Sequence, residues 1–264
     1  MPLYEPRNGG YDIIILGDDN MEKRVALITG ASGGLGSAIA STLAENGFAV
    51  ALHYRSSEKK ALKLKNTLEE KGFDAWMVQG DVTKKSDIES MVQKTLEHYG
   101  HIDVLVNNAG ALKDAPIDEM SDEAFDRVMD INLRGPWLLT KEVVPHMKKR
   151  TYGRIVNISS GVGSHGAANK SNYGASKGAI NTLTKSLCKE LGPFGITVNA
   201  VEPGLIETEM TQYVDDETKE AYISRIPRGK LARPKDVAHA VHCFASEHAS
   251  MISGQIVGVN GGLR

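Results

Sequence analysis

The sequence predicts an α/β fold, a single doubly wound domain with a seven-stranded parallel sheet flanked by helices. Short apolar runs alternate with helix-length amphipathic segments, and several of the runs are almost continuously hydrophobic. Strands that alternate with helices are typical of parallel sheets, and continuous apolar runs are typical of strands covered on both faces. The predicted strands are residues 25–29, 48–54, 74–80, 103–108, 154–159, 196–201 and 256–260.

The segments between these strands carry the apolar repeat of amphipathic helices. An example is SAIASTLAENG at residues 37–47, where Gly47 is a C-terminal stop signal because glycine readily adopts the left-handed conformation. No long linker, internal repeat or low-complexity segment interrupts the pattern. Residues 21–264 are therefore predicted to form one domain.

The composition argues against several classes of protein. The 264-residue chain has a net charge of −2, so we expect no strong field for nucleic acid or for an anionic membrane. No apolar run approaches the roughly 20 residues that a membrane-spanning helix needs. The two cysteines, Cys188 and Cys243, favour a reducing, cytoplasmic compartment over a disulfide framework.

Residues 1–20 stand apart from this pattern. They lack the basic region and the long apolar run of a secretory signal, since their longest apolar run covers residues 13–16. We interpret them as a disordered extension, or as the result of a start codon assigned too early, with Met21 as the natural start. The alternative is an extra strand at residues 12–16 that docks on a neighbour.

The first predicted strand leads directly into a glycine-rich turn, GASGGLG at residues 30–36, and then into a helix. Gly30 permits a tight turn, and Gly36 permits close packing of the helix on the strand. Gly34 lets the backbone approach a pyrophosphate that rests on the N-terminus of the helix. This context predicts a dinucleotide site, and the alternative is a glycine turn without a ligand.

The glycine spacing and the later motifs resemble the short-chain dehydrogenase/reductase family. Thr29 and the Gly-x-x-x-Gly-x-Gly turn differ from the Gly-x-Gly-x-x-Gly form and are similar to that family's turn. The resemblance covers the chain from Met21 onward and implies a Rossmann-type fold and an oxidoreductase. Its further motifs are GDVT (80–83), NNAG (107–110), INLRGPW (131–137), ISS (158–160), YGASK (173–177) and PGLIET (203–208).

Tyr173 and Lys177 lie four residues apart, so on a helix both side chains share one face. A nearby ammonium and the positive charge of an oxidised nicotinamide both favour the tyrosine phenolate. Moving a tyrosine pKa from about 10 to about 7 requires roughly 4 kcal/mol. One close ion interaction in a partly dry site has that order of magnitude.

The resemblance assigns a role to each of four residues in a carbonyl reduction. Tyr173 would donate the proton, and Ser160, in preference to Ser159, would polarise the substrate carbonyl. Lys177 would bind the nicotinamide ribose and tune the pKa of Tyr173. Asn132 would hold a water molecule that links Lys177 to solvent.

The resemblance also implies a set of cofactor contacts that runs along the chain. Phosphate contacts fall in the glycine turn, adenine contacts after the third strand, and ribose and nicotinamide contacts after later strands. The residues are Gly30, Ser32, Gly33, Gly34, Leu35, Gly36, Arg55, Ser56, Asp81, Val82, Asn107, Asn108, Ala109, Gly110, Tyr173, Lys177, Pro203, Gly204, Ile206 and Thr208.

The end of the second strand favours NADP(H) over NAD(H). An acidic residue there would bind the adenosine ribose hydroxyls and repel a 2′-phosphate. This chain has Arg55, Ser56 and Ser57 at that point, and a guanidinium fork and hydroxyl donors suit phosphate. Many NADP-linked relatives carry a second basic residue inside the turn, where this chain has Gly33.

The substrate is predicted from a resemblance to bacterial 3-oxoacyl-thioester reductases, carried by VNAVEPGLIETEMT (198–211) and GQIVGVNGGL (254–263). We expect a mobile substrate lid after Pro203, which includes Met210, Tyr213, Tyr222 and Ile226. The reaction would be NADPH-dependent reduction of a 3-oxoacyl thioester carried by acyl carrier protein or coenzyme A.

One residue departs from the carrier-protein pattern. Phe194 stands where those reductases usually have a basic residue that helps to dock the acidic carrier. We expect Lys148, Lys149 and Arg150 to form a basic patch beside the site entrance instead. A coenzyme A thioester stays open as the substrate.

Other functions stay open at this point. One is an NAD(P)-dependent dehydrogenase of a small alcohol, sugar or cyclic ketone, and another is a dinucleotide-binding sensor without turnover. Asp236, His239 and Cys243 share one helical face with partial metal-ligand spacing, but the same stretch matches a packing helix of the family, so no metal is predicted. The resemblance implies a homotetramer.

Overall fold

The computed structural model describes residues 23–207 and 215–263. Within these ranges the strands are β1 (Val25–Ile28), β2 (Ala49–Tyr54), β3 (Ala75–Gln79), β4 (Val104–Asn107), β5 (Gly153–Ile158), β6 (Ile196–Pro203) and β7 (Ile256–Val259). They form one seven-stranded sheet in the order β3-β2-β1-β4-β5-β6-β7, and every neighbouring pair is parallel. The predicted α/β fold is confirmed.

Helices connect the strands in the manner of crossover units. They are α1 (Gly34–Glu45), α2 (Glu58–Glu70), α3 (Lys85–Tyr99), α4 (Asp122–Met129), α5 (Gly135–Arg150), α6 (Gly161–His165), α7 (Ser171–Leu191), α8 (Asp216–Ser224) and α9 (Pro234–Ala245). A π-helical segment, Asp130–Arg134, lies between α4 and α5 and joins them.

Two apolar clusters, one on each face, bury the sheet. Side chains of α1, α2 and α9 pack on one face, and side chains of α3, α5 and α7 pack on the other. The four residues of β1 are 0–2% exposed, as the continuous apolar run predicts for a central strand. The edge strand β7 differs, because the side chain of Val257 is 40% exposed.

The strand order reverses at β1, which lies between β2 and β4. A crevice opens at such a point beyond the carboxyl ends of the strands, where doubly wound proteins bind ligands. The glycine turn follows β1 and residues 107–110 follow β4, so both segments lie at this crevice.

Some predictions fall outside the described ranges. The interpretations of residues 1–20 stay predictions for that reason.

The strand β6 extends two residues beyond its predicted end because Glu202 and Pro203 pair with Gly258 and Val259 of β7. Among the described helices, none has the length and apolar character needed to cross a bilayer.

Candidate active site

Only glycine fits at two positions of the turn that follows β1. Gly30 has φ +65°, and a Cβ atom there would lie 3.1 Å from Ala109 Cα. A Cβ atom on Gly36 would lie 2.2 Å from the carbonyl oxygen of Gly30, which no side chain can accept. The turn therefore brings α1 against β1, as its glycine spacing predicts.

The N-terminus of α1 is suited to the phosphates of a dinucleotide. Gly33 caps the helix without a side-chain hydrogen bond, and the first turn contains no acidic residue. The helix dipole and the unpaired amides of this 12-residue helix favour an anion at that end. Beyond Gly33 the backbone is open, since a Cβ atom there would meet only the Gly30 carbonyl, at 3.5 Å.

Thr29 and Asn108 hold the turn from behind. The Thr29 hydroxyl donates to the Val106 carbonyl and accepts from the amides of Asn108 and Ala109. The side-chain amide of Asn108 donates to the carbonyls of Thr29 and Gly30, at 2.8 and 3.2 Å. The side chain of Asn108 is thus committed to the protein. Thr29 was predicted only as the residue that precedes the glycine turn, and its hydroxyl also helps to hold that turn in place.

A second polar connection runs inward from β4. The side-chain amide of Asn107 donates to Asn157 Oδ1 at 2.8 Å, and the side-chain amide of Asn157 donates to the Thr184 hydroxyl of α7 at 2.9 Å. Asn107 is 3% exposed, so its side chain ties β4 to β5 and α7. The side-chain amides of Asn107 and Asn108 are thus both bound within the protein. Neither Asn157 nor Thr184 lies in a recognisable motif, so their part in this connection was not predicted.

The segment after β3 holds the residues predicted to contact adenine. Val82 is buried, and the Asp81 carboxylate accepts from the amide and hydroxyl of Thr83 at 3.0 and 2.8 Å. Partial burial acts to raise the pKa of Asp81, but these hydrogen bonds and the charges of Arg55 and Lys84 hold that pKa below its ordinary value. Arg55 and Ser56 are exposed at the adjoining end of β2.

Lys177 is buried in α7, with 5% of its surface exposed. Its ammonium donates to the carbonyl of Ile158 at the end of β5, with an Nζ–O distance of 2.7 Å. Burial lowers the pKa of Lys177 to about 8. Nζ lies 5.7 Å from the centre of the Tyr173 ring, so the two side chains do face the same cleft.

The pKa of Tyr173 shifts in the direction opposite to our expectation. Burial raises it above the ordinary value, and a hydrogen bond with Ser160 only partly opposes this effect. The expected depression toward 7 combined the Lys177 ammonium with the positive charge of an oxidised nicotinamide, and the ammonium donates to the Ile158 carbonyl. In this structure Tyr173 is therefore a neutral acid.

Of the two adjacent serines, Ser160 is the one beside Tyr173. The Ser159 hydroxyl is buried and donates to the Lys177 carbonyl at 3.2 Å. Ser160 begins the short helix α6, where its Oγ atom accepts from the Val162 amide at 3.3 Å. The geometry agrees with the family spacing that selects Ser160.

Close packing of α6 on α7 keeps Ser160 in place. A Cβ atom on Gly163 would lie 2.6 Å from the carbonyl carbon of Lys177, so only glycine permits this contact. The buried carboxylate of Glu202 adds a polar bond, since its Oε1 atom accepts from Ser164 Oγ at 2.6 Å and from Asn181 Nδ2 at 2.7 Å. No role was predicted for these supporting residues, although Glu202 lies in the stretch 198–211 that carries the resemblance.

Asn132 lies in the π-helical segment between α4 and α5. Its side-chain amide donates to the Ala111 carbonyl and to Ser176 Oγ, and its Oδ1 atom accepts from the Ala111 amide. Both N–H groups of the side chain are thus used, and Oδ1 already accepts one hydrogen bond. Gly110 lies between Asn132 and Lys177, because a Cβ atom there would be 3.5 Å from Oδ1 and 3.9 Å from Nζ.

The segment after β6 is partly outside the described residues, including Thr208, Met210 and Tyr213. Pro203 is buried at the end of β6, and Gly204 lies close to Asn260 and the Tyr222 hydroxyl. Tyr222 of α8 accepts from the Leu205 amide at 3.0 Å, which ties α8 to this segment.

Two isoleucines of this region are packed rather than exposed. Ile206 is 9% exposed, its side chain belongs to the core cluster, and its backbone forms a parallel bridge with Ala232. Ile226 is 5% exposed and packs against Gly261. The expectation that Ile226 contributes to a lid surface is therefore wrong.

The basic patch does not lie beside the site. The helix α5 runs antiparallel to β5, so Lys148, Lys149 and Arg150 at its end lie at the amino ends of the strands. Arg150 Nε is 3.8 Å from the carboxylate of Asp103, just before β4, and Lys148 Nζ is 4.0 Å from the centre of the Phe194 ring. The expected position at the entrance is wrong for a single protomer.

The candidate metal ligands of α9 do not converge. His239 and Cys243 are exposed, and Asp236 instead accepts from the amide and guanidinium of Arg233. Over residues 23–207 and 215–263 no group of three or more potential ligands could hold a metal ion.

The open glycine turn, the switch point and the Tyr173–Lys177 pair together define a dinucleotide-binding protein of the Rossmann type.

Comparison with known proteins agrees with this class. The family model described as short chain dehydrogenase matches residues 24–219. The chain is 40% identical over 238 residues to the 3-oxoacyl-[acyl-carrier-protein] reductase FabG of Staphylococcus aureus strain Mu50, covering 90% of this chain and 97% of that protein. It is 40% identical over 244 residues to the protein of that name from Thermotoga maritima, covering 92% and 98%.

A third relative carries the same name. The chain is 42% identical over 241 residues to FabG of Rickettsia typhi, covering 91% of this chain and 96% of that protein. The chain belongs to the short-chain dehydrogenase family. It is accordingly an oxidoreductase that uses a nicotinamide dinucleotide.

Proposed function

We propose that the protein reduces a 3-oxoacyl thioester to the 3-hydroxyacyl thioester with NADPH. The observation that carries the proposal is the position of Ser160, at the start of α6, beside Tyr173, whose ring centre lies 5.7 Å from Lys177 Nζ. The printed names of the relatives, at 40–42% identity, support a 3-oxoacyl thioester as the substrate. Such a reaction belongs to fatty acid biosynthesis.

The catalytic residues act on the carbonyl oxygen. The dihydronicotinamide, when bound, supplies a hydride to the carbonyl carbon. Tyr173 Oη gives its proton to the developing alkoxide, and the Ser160 hydroxyl donates a hydrogen bond to the same oxygen. A raised pKa suits Tyr173 to this direction, because the hydroxyl holds its proton until the alkoxide forms.

Lys177 and Asn132 restore the proton of Tyr173 after each turnover. The lysine, with a pKa of about 8, is largely an ammonium at pH 7 and stabilises the tyrosine phenolate left by proton transfer. It also holds the nicotinamide ribose. A water molecule held by Asn132 then connects Lys177 to solvent.

NADP(H) is the proposed form of the cofactor. Arg55 and Ser56 are exposed at the end of β2, where a 2′-phosphate would meet a guanidinium and a hydroxyl. The positive charge of Arg55 acts on Asp81, the residue proposed to bind adenine, so a 2′-phosphate beside Arg55 is compatible with that contact. The segment 55–57 contains no acidic residue that would repel the phosphate.

Acyl carrier protein is the proposed bearer of the substrate, as the names of the relatives suggest. A coenzyme A thioester is the second candidate. Phe194 favours this candidate because the position lacks the basic residue that would help to dock the carrier. The position of Lys148–Arg150 at the amino ends of the strands, away from the site, favours it as well. Comparison of kcat/KM for the two thioesters of one acyl group distinguishes these substrates.

A homotetramer is the proposed assembly. The exposed apolar side chains of the described surface include two separate groups, and a tetramer with dihedral symmetry needs more than one interface. Phe125 and Trp137 lie on α4 and α5, at 40% and 45% exposure. Met251, Ile252 and Val257 lie at the sheet edge formed by β7.

The direct test is NADPH oxidation by the purified protein with acetoacetyl-CoA and acetoacetyl acyl carrier protein, with NADH run alongside. Turnover that prefers NADPH is the expected result. Tight NADPH binding without turnover of either thioester would contradict the proposed substrate and direct the search to sugar and cyclic ketones. Absence of binding by either dinucleotide would contradict the cofactor as well.

A further inference from the structure

A buried histidine connects the two loops that flank the adenosine half of the crevice. His53 lies in β2 and is 2% exposed. Its Nδ1 atom is 3.0 Å from the amide of Gly30, the first residue of the glycine turn. Its Nε2 atom is 3.0 Å from the carbonyl oxygen of Gly80, the residue before Asp81. One imidazole ring therefore contacts both loops.

The partners determine the protonation of the ring. An amide N–H can only donate and a carbonyl oxygen can only accept, so Nδ1 is the acceptor and Nε2 carries the hydrogen. His53 is consequently a neutral imidazole in a single tautomer. Burial lowers its pKa, against the opposing effects of the Gly80 hydrogen bond and the Asp81 charge, and so favours the same neutral form.

Backbone hydrogen bonds attach the same loops to β2. The Ala31 amide donates to the His53 carbonyl at 2.9 Å, and the Gly80 amide donates to the Tyr54 carbonyl at 3.1 Å. These bonds fix each loop to the strand separately. Among the described side chains, the His53 imidazole joins Gly30 to Gly80. It does so across β2, immediately before Tyr54 and Arg55.

We propose that His53 is a positioning residue for the dinucleotide, which sets the distance between the phosphate-binding turn and the adenine-binding loop. The inference rests on the proposed NADPH site, and His53 itself, buried under both loops, touches no ligand. A ligand that spans the two loops gains from the fixed distance, whereas a ligand held by one loop does not. Without the ring, the part-buried Gly30 amide loses its partner and the turn is free to shift.

Three substitutions separate the two ends of the connection. His53→Asn places Oδ1 near the position of Nδ1 and keeps an acceptor for Gly30, but it does not reach Gly80. His53→Gln extends its amide toward Gly80 and leaves Gly30 without its acceptor. His53→Phe keeps an aromatic ring and removes both hydrogen bonds.

The measurement is equilibrium binding of NADPH and of adenosine 2′-monophosphate to the full chain and to each variant. Adenosine 2′-monophosphate is the matched control because it reaches the Asp81 loop and Arg55 but has no pyrophosphate for the glycine turn. We expect His53→Phe to weaken NADPH about ten-fold or more, as for loss of a buried hydrogen bond, and to leave the monophosphate within about two-fold. His53→Asn should recover most of the loss. KM for NADPH should rise while kcat at saturating NADPH changes less.

Several outcomes would overturn the inference. Equal NADPH affinity in all variants would show that the connection has no effect on the cofactor. An equal loss for both ligands would indicate general destabilisation, and failure of the unsubstituted protein to bind NADPH would remove the cofactor proposal instead. If the variants do not fold, nitrogen NMR of the unsubstituted protein still decides, because a His53 ring protonated at Nδ1 contradicts the hydrogen bond to Gly30.

Discussion

The ammonium of Lys177 donates to the Ile158 carbonyl at 2.7 Å and lies 5.7 Å from the centre of the Tyr173 ring. Lysine is thus close to the tyrosine, but its charge is directed at the end of β5. Burial raises the pKa of Tyr173 and lowers that of Lys177 to about 8, so the two groups are poised for a proton to move after the tyrosine has given its own.

The pH dependence of reduction should report Lys177. Its ammonium form, which stabilises the phenolate, dominates below about pH 8 and is lost as the pH rises through that value. We therefore expect kcat/KM for NADPH, which reports the free enzyme, to fall above about pH 8. The Ser160→Ala variant is the control, because it should be slower but show the same alkaline fall. A flat profile between pH 7 and pH 10 would contradict this role.

Replacement of Arg55 should change the choice of cofactor. Loss of a charge-assisted hydrogen bond to the 2′-phosphate is worth roughly 1.5–3 kcal/mol, so Arg55→Ala should raise KM for NADPH by about ten-fold to a hundred-fold. KM for NADH should change little, since NADH lacks that phosphate. Steady-state kinetics with both cofactors make the comparison, and an equal effect on both would exclude a phosphate contact by Arg55.

Two glycines of the same short helix provide a matched pair. A Cβ atom on Gly163 would lie 2.6 Å from the Lys177 backbone, whereas one on Gly161 would meet nothing within 4 Å. Gly163→Ala should destabilise the protein by about 1–3 kcal/mol and reduce activity, because α6 moves away from α7 and carries Ser160 with it. Gly161→Ala should be nearly neutral in thermal unfolding. Similar effects of the two variants would argue against this packing.

The assembly can be tested at α5. Trp137 is 45% exposed in the single chain, and Trp137→Glu should disrupt an interface that buries it. Light scattering after gel filtration should give a tetramer for the parent and a smaller species for the variant. The control is Leu62→Glu, at a 46% exposed leucine of α2. A parent protein that runs as a monomer would contradict the proposed assembly.

Much of the architecture was predictable because it depends on local patterns. The seven strands were recognisable as apolar runs, and the glycine turn was recognisable because only glycine fits beside the Gly30 carbonyl and Ala109. The positions of Arg55 at the end of β2 and of Ser160 beside Tyr173 follow from motif spacing once the strands are known.

The rest depends on contacts between distant residues of ordinary type. His53 joins Gly30 to Gly80, and Glu202 joins α6 to α7, but no sequence pattern indicates either contact. The error over Lys148–Arg150 has a different cause. A crossover helix returns to the amino ends of the strands, so residues at the end of α5 lie far from the crevice even though they directly precede β5.

The central claim is that Tyr173 is the proton donor, and Tyr173→Phe tests it most directly. The change removes one hydroxyl and keeps the buried ring, so NADPH binding should stay within about two-fold while NADPH oxidation with acetoacetyl-CoA falls by about 10²–10⁴-fold. Binding measured by fluorescence on the same preparation confirms that the site is intact. Oxidation at the rate of the unsubstituted protein would contradict the mechanism, because another group would then have to donate the proton.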